Sequence, residues 1–305
     1  MKTCLIFLFI FTILPLEAKS KTSKTKKVTN KLNTSKLIFS PIDRKPSFDI
    51  PITYNKRVQK WITYFQGRGK GWLTKIFARS YRYFPGIQYS LKQKGLPLDL
   101  AYITIIESGL SAQAHSHAAA VGYWQFIKST AKRYGLRVDW WIDERKDFYR
   151  STQAAISYLD DLYGMFGSWY LAASAYNMGE NKLKRLIKKY KTKNYWILSS
   201  KRDFPKETRN YVPKLIATVL IAKAPSRYGF HNIKPMAPYR YDVYNVPGGL
   251  DLINLSRHMG LRPKILKELN PGLTKGFVPN FIKSYRIRIP KGYTGRLERY
   301  LKKTT

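Results

Sequence analysis

The spacing of apolar residues changes once along this chain, and that change fixes the architecture. From Asp49 to about Phe230 they recur at steps of three and four; Val58, Trp61, Ile62 and Phe65 share one helical face. From Arg240 the period falls to two. Arg240-Tyr-Asp-Val-Tyr-Asn-Val246 and Ser284-Tyr-Arg-Ile-Arg-Ile-Pro290 alternate polar and apolar residues, as half-buried strands do. Between them, Leu252, Leu255 and Met259, then Ile265 and Leu269, predict two short helices. The fold class is therefore mainly α: an all-α domain followed by a small βααβ module.

Punctuation along the first part sets the expected helices. Gly67-Arg-Gly-Lys-Gly71 ends the first, and Trp72, Ile76 and Phe77 begin another. Pro97 suits a first helical turn, with Asp99 near the positive end of the dipole; that helix runs through Leu100, Ile103 and Ile106 to Gly109. A further helix carries Trp124, Ile127, Ala131 and Tyr134 and stops at Gly135. Ser151 is the expected cap of a helix with Ala155, Tyr158, Leu159, Leu162 and Phe166 on one face. Leu171 to Tyr176 is short and Ala-rich. The last helix of this part spans Tyr211 to Ala224, with Pro213 in its first turn or kinking it.

Charge narrows the setting. The 305 residues carry 56 Lys and Arg against 18 Asp and Glu, a formal net charge of +38. Such a balance calls for an anionic partner. Lys2, the apolar run Leu5 to Leu14 and Pro15-Leu-Glu-Ala18 have the three-part layout of a secretory signal peptide over residues 1–18. The run is about half of the roughly 20 residues a membrane span needs. Export to the periplasm or cell envelope makes nucleic acid a poor partner, and no nucleic-acid recognition motif is present. Cys4 lies before the apolar run, so the cleaved chain has no cysteine for disulfides or thiol chemistry. Residues 19–47 are rich in Lys, Ser and Thr and are expected to form a basic disordered tether.

One acid stands out against this background. Glu107 closes the apolar run Leu100-Ala-Tyr-Ile-Thr-Ile-Ile, and the next Lys or Arg is Lys128. A carboxyl at an apolar helix end loses hydration, which raises its pKa. A carboxylic acid still protonated near neutrality can donate its proton to a leaving oxygen, as glycosidic cleavage requires. On position alone the alternative is an exposed Glu at a helix end with no role.

The stretch Glu107-Ser-Gly-Leu-Ser-Ala-Gln-Ala-His-Ser-His-Ala-Ala-Ala-Val-Gly-Tyr-Trp-Gln-Phe126, with Ala175-Tyr-Asn-Met-Gly-Glu180 and Glu207-Thr-Arg-Asn-Tyr-Val-Pro-Lys214, resembles the soluble-lytic-transglycosylase domain of glycoside hydrolase family 23, closest to its membrane-bound murein-transglycosylase branch. The resemblance implies a lysozyme-like catalytic domain over 48–232, a linker over 233–238, a degenerate LysM-like module over 239–292 and a basic tail over 293–305. It implies Glu107 as the sole catalytic acid and base. Ser108, Ser116, Gly122, Gln125, Tyr176, Asn177 and Tyr211 fall on substrate-binding positions of the family, with the Tyr176 hydroxyl beside the acid. Glu207 is expected to hold a helix. Ala119 stands where many relatives have Gly, and Trp124 where many have Met.

The implied reaction is substrate-assisted cleavage of the bond between N-acetylmuramic acid and N-acetylglucosamine, giving 1,6-anhydro ends without water. Peptidoglycan strands are the implied partner, with no cofactor. A non-catalytic peptidoglycan-binding scaffold is the alternative. His115 and His117 lack further ligands, so no metal site is expected. Asp143-Glu-Arg-Lys-Asp147 is expected to be a solvated, salt-bridged loop, and Trp140-Trp141 to pack in the core. In the module, Val246-Pro-Gly-Gly-Leu-Asp251 replaces the usual Ser-Gly-Asp-Thr, leaving glycan affinity or a packing role open. Its basic residues suit carboxylates of peptide stems or peripheral contact with an anionic membrane surface. Nothing in the sequence sets an oligomeric state.

Overall fold

The computed structural model describes residues 46–304. The expected signal peptide and nearly all of the expected tether lie outside the described residues. The first part is helical, as the spacing predicts. Helix α1 (Lys56–Gln66) is capped by Asn55, whose side chain accepts from the Arg57 and Val58 amides, and it buries Val58, Ile62 and Phe65. Helix α2 (Lys70–Gln93) follows the glycine break and runs on through Pro85. A 3-10 turn over Leu98–Tyr102 leads into α3 (Ile103–Ser108), which ends at Gly109 in the left-handed conformation. Asp99 in that turn is buried, meets Lys223 at 2.5 Å and accepts from the Asp49 amide at 3.0 Å, so its partners are distant in sequence.

Two expectations shift here. The helix expected from Trp124 starts only at Lys128, as α4 (Lys128–Arg133). Trp124 and Gln125 belong to the preceding turn, where Gln125 has φ 50°. A positive φ is incompatible with helix continuation. Helix α5 (Phe148–Phe166) begins three residues before Ser151, because Asp147 accepts from the Arg150 amide and is the cap. Ser151 instead turns its hydroxyl back to the Asp147 carbonyl.

Next come α6 (Trp169–Met178), α7 (Glu180–Tyr190), α8 (Tyr195–Leu198) and α9 (Lys206–Lys223). Pro213 sits well inside α9, not in its first turn. One apolar core joins these elements, with Trp124, Tyr102, Phe65, Phe77 and Phe84 among its largest buried side chains. Helix α9 packs on α1, α3 and α6.

The tail forms its own core. Strands β1 (Tyr241–Val246) and β2 (Tyr285–Pro290) pair antiparallel, with Asn245 opposite Arg286 and Val243 opposite Arg288. Between them lie α10 (Leu252–Met259) and α11 (Pro263–Leu269). The stretch expected as a basic tail is also ordered: α12 (Thr294–Thr304) follows β2, packs on α10 and buries Leu297. The module is thus closed by a third helix.

The expected solvated loop at residues 143–147 is the largest departure. Asp143, Glu144, Arg145 and Asp147 are all less than a tenth exposed. Arg145 grips Asp143 with two nitrogens, at 2.9 and 2.8 Å, and Arg288 of β2 grips Asp147 at 2.6 and 3.0 Å. The Asp143 amide donates to the Gly272 carbonyl at 2.9 Å, and Ile142 is buried in the core of the tail module. This segment is the seam between the two parts. Buried charges persist only where partners replace water, and each here has one. The tryptophans divide: Trp141 packs at the seam against Phe277, whereas Trp140 is 70 % exposed beneath the Lys275 ammonium. Core packing does not describe Trp140.

Candidate active site

The site is built where α3 meets α9. Glu107 is the penultimate residue of α3, and Ile103, Ile105 and Ile106 before it are buried. The side chain keeps a solvent-facing edge, yet protein crowds the carboxyl. Burial pushes its pKa up from 4.5 to about 7; the Tyr211 hydroxyl and the Lys214 ammonium pull down, and Glu207 adds a smaller upward push. Its position at a helix C-terminus, the negative end of the dipole, disfavours the carboxylate in the same sense.

Tyr211 is the direct partner. Its hydroxyl donates to Glu107 Oε1 at 2.5 Å. Burial, then the nearby Glu107, hold the phenol well above its ordinary pKa, so it stays protonated and remains a donor. Lys214 is three residues further along α9, hence on the same face. Its Nζ donates to the Ile106 carbonyl at 3.2 Å, and Arg79 donates to the Gly109 carbonyl at 2.7 Å. Two cations thus satisfy carbonyls at the end of α3, on either side of the acid. Lys214 and Arg79 carried no assignment from sequence. For Lys214 a signal existed, because it closes the third motif at helical spacing from Tyr211.

Tyr176 stands near the acid without bonding it. Its hydroxyl donates to the Trp124 carbonyl at 2.7 Å, and the phenol that bonds the acid is Tyr211. Tyr176 is near enough that Glu107 helps raise its pKa, after burial. It ties α6 to the loop that follows the acid.

That loop is pinned throughout. Ser108 donates to the Tyr123 carbonyl at 2.7 Å and to Thr104 at 3.2 Å, which is support rather than an open contact. Gln125 donates to the carbonyls of Gly122 and Ala114, at 2.9 and 3.1 Å. Ser116 is exposed and accepts from the Ala120 amide at 3.1 Å. Arg145 reaches from the seam to the Ala119 and Phe126 carbonyls, each at 3.2 Å. Gly122 has φ 82°, and a Cβ there would come within 2.0 Å of the Arg145 carbonyl. Its close approach is to this backbone. Leu110, Ala119 and Gln125 all adopt positive φ, a concentration of strain of the kind found at functional sites.

Asn177 stands on the other side. It donates to Glu207 at 2.9 Å and accepts from Thr208 at 2.6 Å, joining the ends of α6 and α9. Glu207 therefore has the helix-holding contact expected of it. The structure brings Glu107, Tyr211, Tyr176, Ser108 and Gln125 to the α3–α9 junction and its loop, with Asn177 at the neighbouring helix ends. Among the described residues no three His, Cys, Asp or Glu side chains converge as a metal site would require. No described helix is long and apolar enough to cross a membrane.

Comparison with known proteins places these parts. Residues 85–199 match the family described as Transglycosylase SLT domain, and residues 240–305 match Lytic transglycosylase MltD, LysM-like domain. Membrane-bound lytic murein transglycosylase D of Escherichia coli is 30% identical over 239 residues, 77% of this chain and 52% of that protein, with the same figures in two strains. The chain spans about half the length of these curated relatives. A solved lytic transglycosylase Slt of Pseudomonas aeruginosa, an inactive mutant, overlaps with TM-score 0.37 at 17% identity, over 59% of this chain and 38% of that one. So loose an overlap carries no weight for the fold.

Proposed function

We propose that this chain, which carries an SLT transglycosylase domain and an MltD-type LysM-like domain and is homologous to the E. coli murein transglycosylase D, is a peptidoglycan lytic transglycosylase. The observation that carries the reading is the state of Glu107. A carboxyl with a pKa of about 7 is about half protonated at neutral pH, so it can both give a proton and take one back. The other carboxylate bearing on its ionisation, Glu207, is engaged by Asn177. Ordinary glycosidases use two carboxyl groups, one for each half of the reaction. One acid suffices if the substrate supplies the rest.

In this reading Glu107 gives its proton to the oxygen between N-acetylmuramic acid and N-acetylglucosamine, and that bond breaks. The muramyl N-acetyl carbonyl stabilises the anomeric carbon. Glu107, now ionised and steadied by Tyr211 and Lys214, takes the proton of the muramyl 6-hydroxyl, whose oxygen closes on that carbon. The product is a 1,6-anhydro end, no water enters, and the acid returns to its starting state. Ser116, Gln125, Tyr176 and Asn177 are assigned to the strand, with Ser108 and Gly122 setting the backbone that carries them. The domain limits given by the sequence are kept, except that α12 joins the LysM-like module.

The protein is placed in the cell envelope, exported by residues 1–18. Mass spectrometry of digested peptidoglycan tests the chemistry: anhydro ends that vanish in Glu107→Gln are expected. Reducing ends alone would make this a hydrolase, and binding without release would make it a scaffold.

A further inference from the structure

A cavity of about 520 Å³ opens to solvent away from Glu107, between the start of α5 and the outer face of β2. Strand alternation explains its chemistry. Tyr285, Ile287 and Ile289 point into the module's core, so Ser284, Arg286 and Arg288 share the opposite face and line the cavity. The two arginines have different fates. Arg288 is buried and spent on Asp147. Arg286 is exposed, stands opposite Asn245 across the ladder, and has no acidic partner among the described residues. On the facing wall Arg150 gives one nitrogen to Glu144 at 3.0 Å and lines the cavity with the half-exposed Tyr149.

We propose that this cleft binds the free carboxylate of a short acidic peptide, the stem carried by the glycan strand; the assignment rests on the peptidoglycan reading above. A guanidinium fork matches the two oxygens of a carboxylate. The charge balance favours a monoanion. Glu144 and Asp147 already line the wall, so the three arginines leave one net positive charge, and a phosphate dianion would face two resident carboxylates. The volume exceeds one ion and falls in the range of small-ligand sites. Leu136, Ala154 and the Tyr149 ring offer apolar surface for small side chains such as methyls. The cleft takes walls from both parts of the protein, so it exists only while the seam is closed.

The test uses the full chain and two matched substrates: glycan strands bearing peptides and the same strands stripped of them. Arg286→Gln should raise KM for peptide-bearing strands by roughly five- to tenfold, leave kcat alone, and leave both constants unchanged on stripped strands. Arg286→Lys should recover part of the loss. In a direct titration, a fluorescent stem tetrapeptide should bind wild type more tightly than Arg286→Gln, and amidating its carboxylates should remove the difference. Equal effects on both substrates, or none on either, would overturn the proposal. So would displacement of the tetrapeptide by inorganic phosphate at equal concentration. If wild type yields no anhydro ends, the catalytic reading falls while the titration still decides the cleft.

Discussion

Glu107 and Asp147 are both carboxylates taken out of water, and the protein treats them in opposite ways. Asp147 is met by two nitrogens of Arg288 and by the Arg150 amide, and it caps α5. Burial alone would lower the proton affinity of that guanidinium, but the facing Asp147 charge outweighs it and drives the Arg288 pKa up. Glu107 is met by one neutral phenol, with the nearest ammonium bonded to a backbone carbonyl. A matched pair holds two surfaces together, so it suits a joint. An acid left without a counter-ion has two accessible states and suits proton transfer. Crowding by protein is common to both; the partner decides the use.

The contrast can be broken from either side. The largest expected effect is on Glu107→Gln, which should lower anhydro-product formation by about a thousandfold or more, read from product analysis. Its stability should move the other way. The folded pKa is raised, so the wild-type acid favours the folded state fully below pH 4.5 and loses that advantage as pH rises through about 7. The amide should therefore exceed wild type above pH 7 by on the order of 3 kcal/mol in denaturant unfolding, with no gain below pH 4.5.

At the seam, Asp147→Ala should cost about 3–5 kcal/mol, because a buried guanidinium loses its counter-charge. Replacing Asp147 and Arg288 together by leucine should recover most of that cost. A double variant as damaged as the single would show that the pair itself sets the stability. A smaller effect concerns the pH limb. Activity that needs protonated Glu107 should fall as pH rises through about 7, and Tyr211→Phe should shift that fall upward by roughly half to one unit, since the lost hydrogen bond favoured the carboxylate. Smallest is Ala119→Gly. With φ at 56°, relief of the strained backbone should outweigh the gained chain freedom and stabilise by up to about 1 kcal/mol in thermal unfolding.

Most of the helical domain was legible because apolar spacing is local information. The change of period near residue 240 marked the second part correctly. Three helices escaped: the single turn of α8, and two longer ones for one shared reason. In α7 the residues Leu183, Leu186 and Ile187, and in α12 Leu297, Tyr300 and Leu301, have helical spacing, but dense Lys and Arg around them masked it. The acid at Glu107 stood out through its apolar lead-in. Its phenol partner lies 104 residues away, and the resemblance gave Tyr211 as a substrate-binding position rather than as the acid's partner. The 143–147 segment misled most. Alternating charges look solvated until a partner 141 residues distant arrives to cover them. Trp140 and Trp141 show the same limit, since adjacent identical residues leave a loop on opposite sides.

Ile142 sits in the tail's core although it belongs to the chain of the helical part, and Arg145 connects that seam to the carbonyls of Ala119 and Phe126. The C-terminal module is consequently not a cassette. Clipping the chain near residue 238 would strip the cover from Ile142 and strand Asp147, and the damage would reach the turn beside the acid. Grafting a foreign module would require transplanting the 139–147 segment with it, so lineages that exchange such tails must inherit the socket along with the plug.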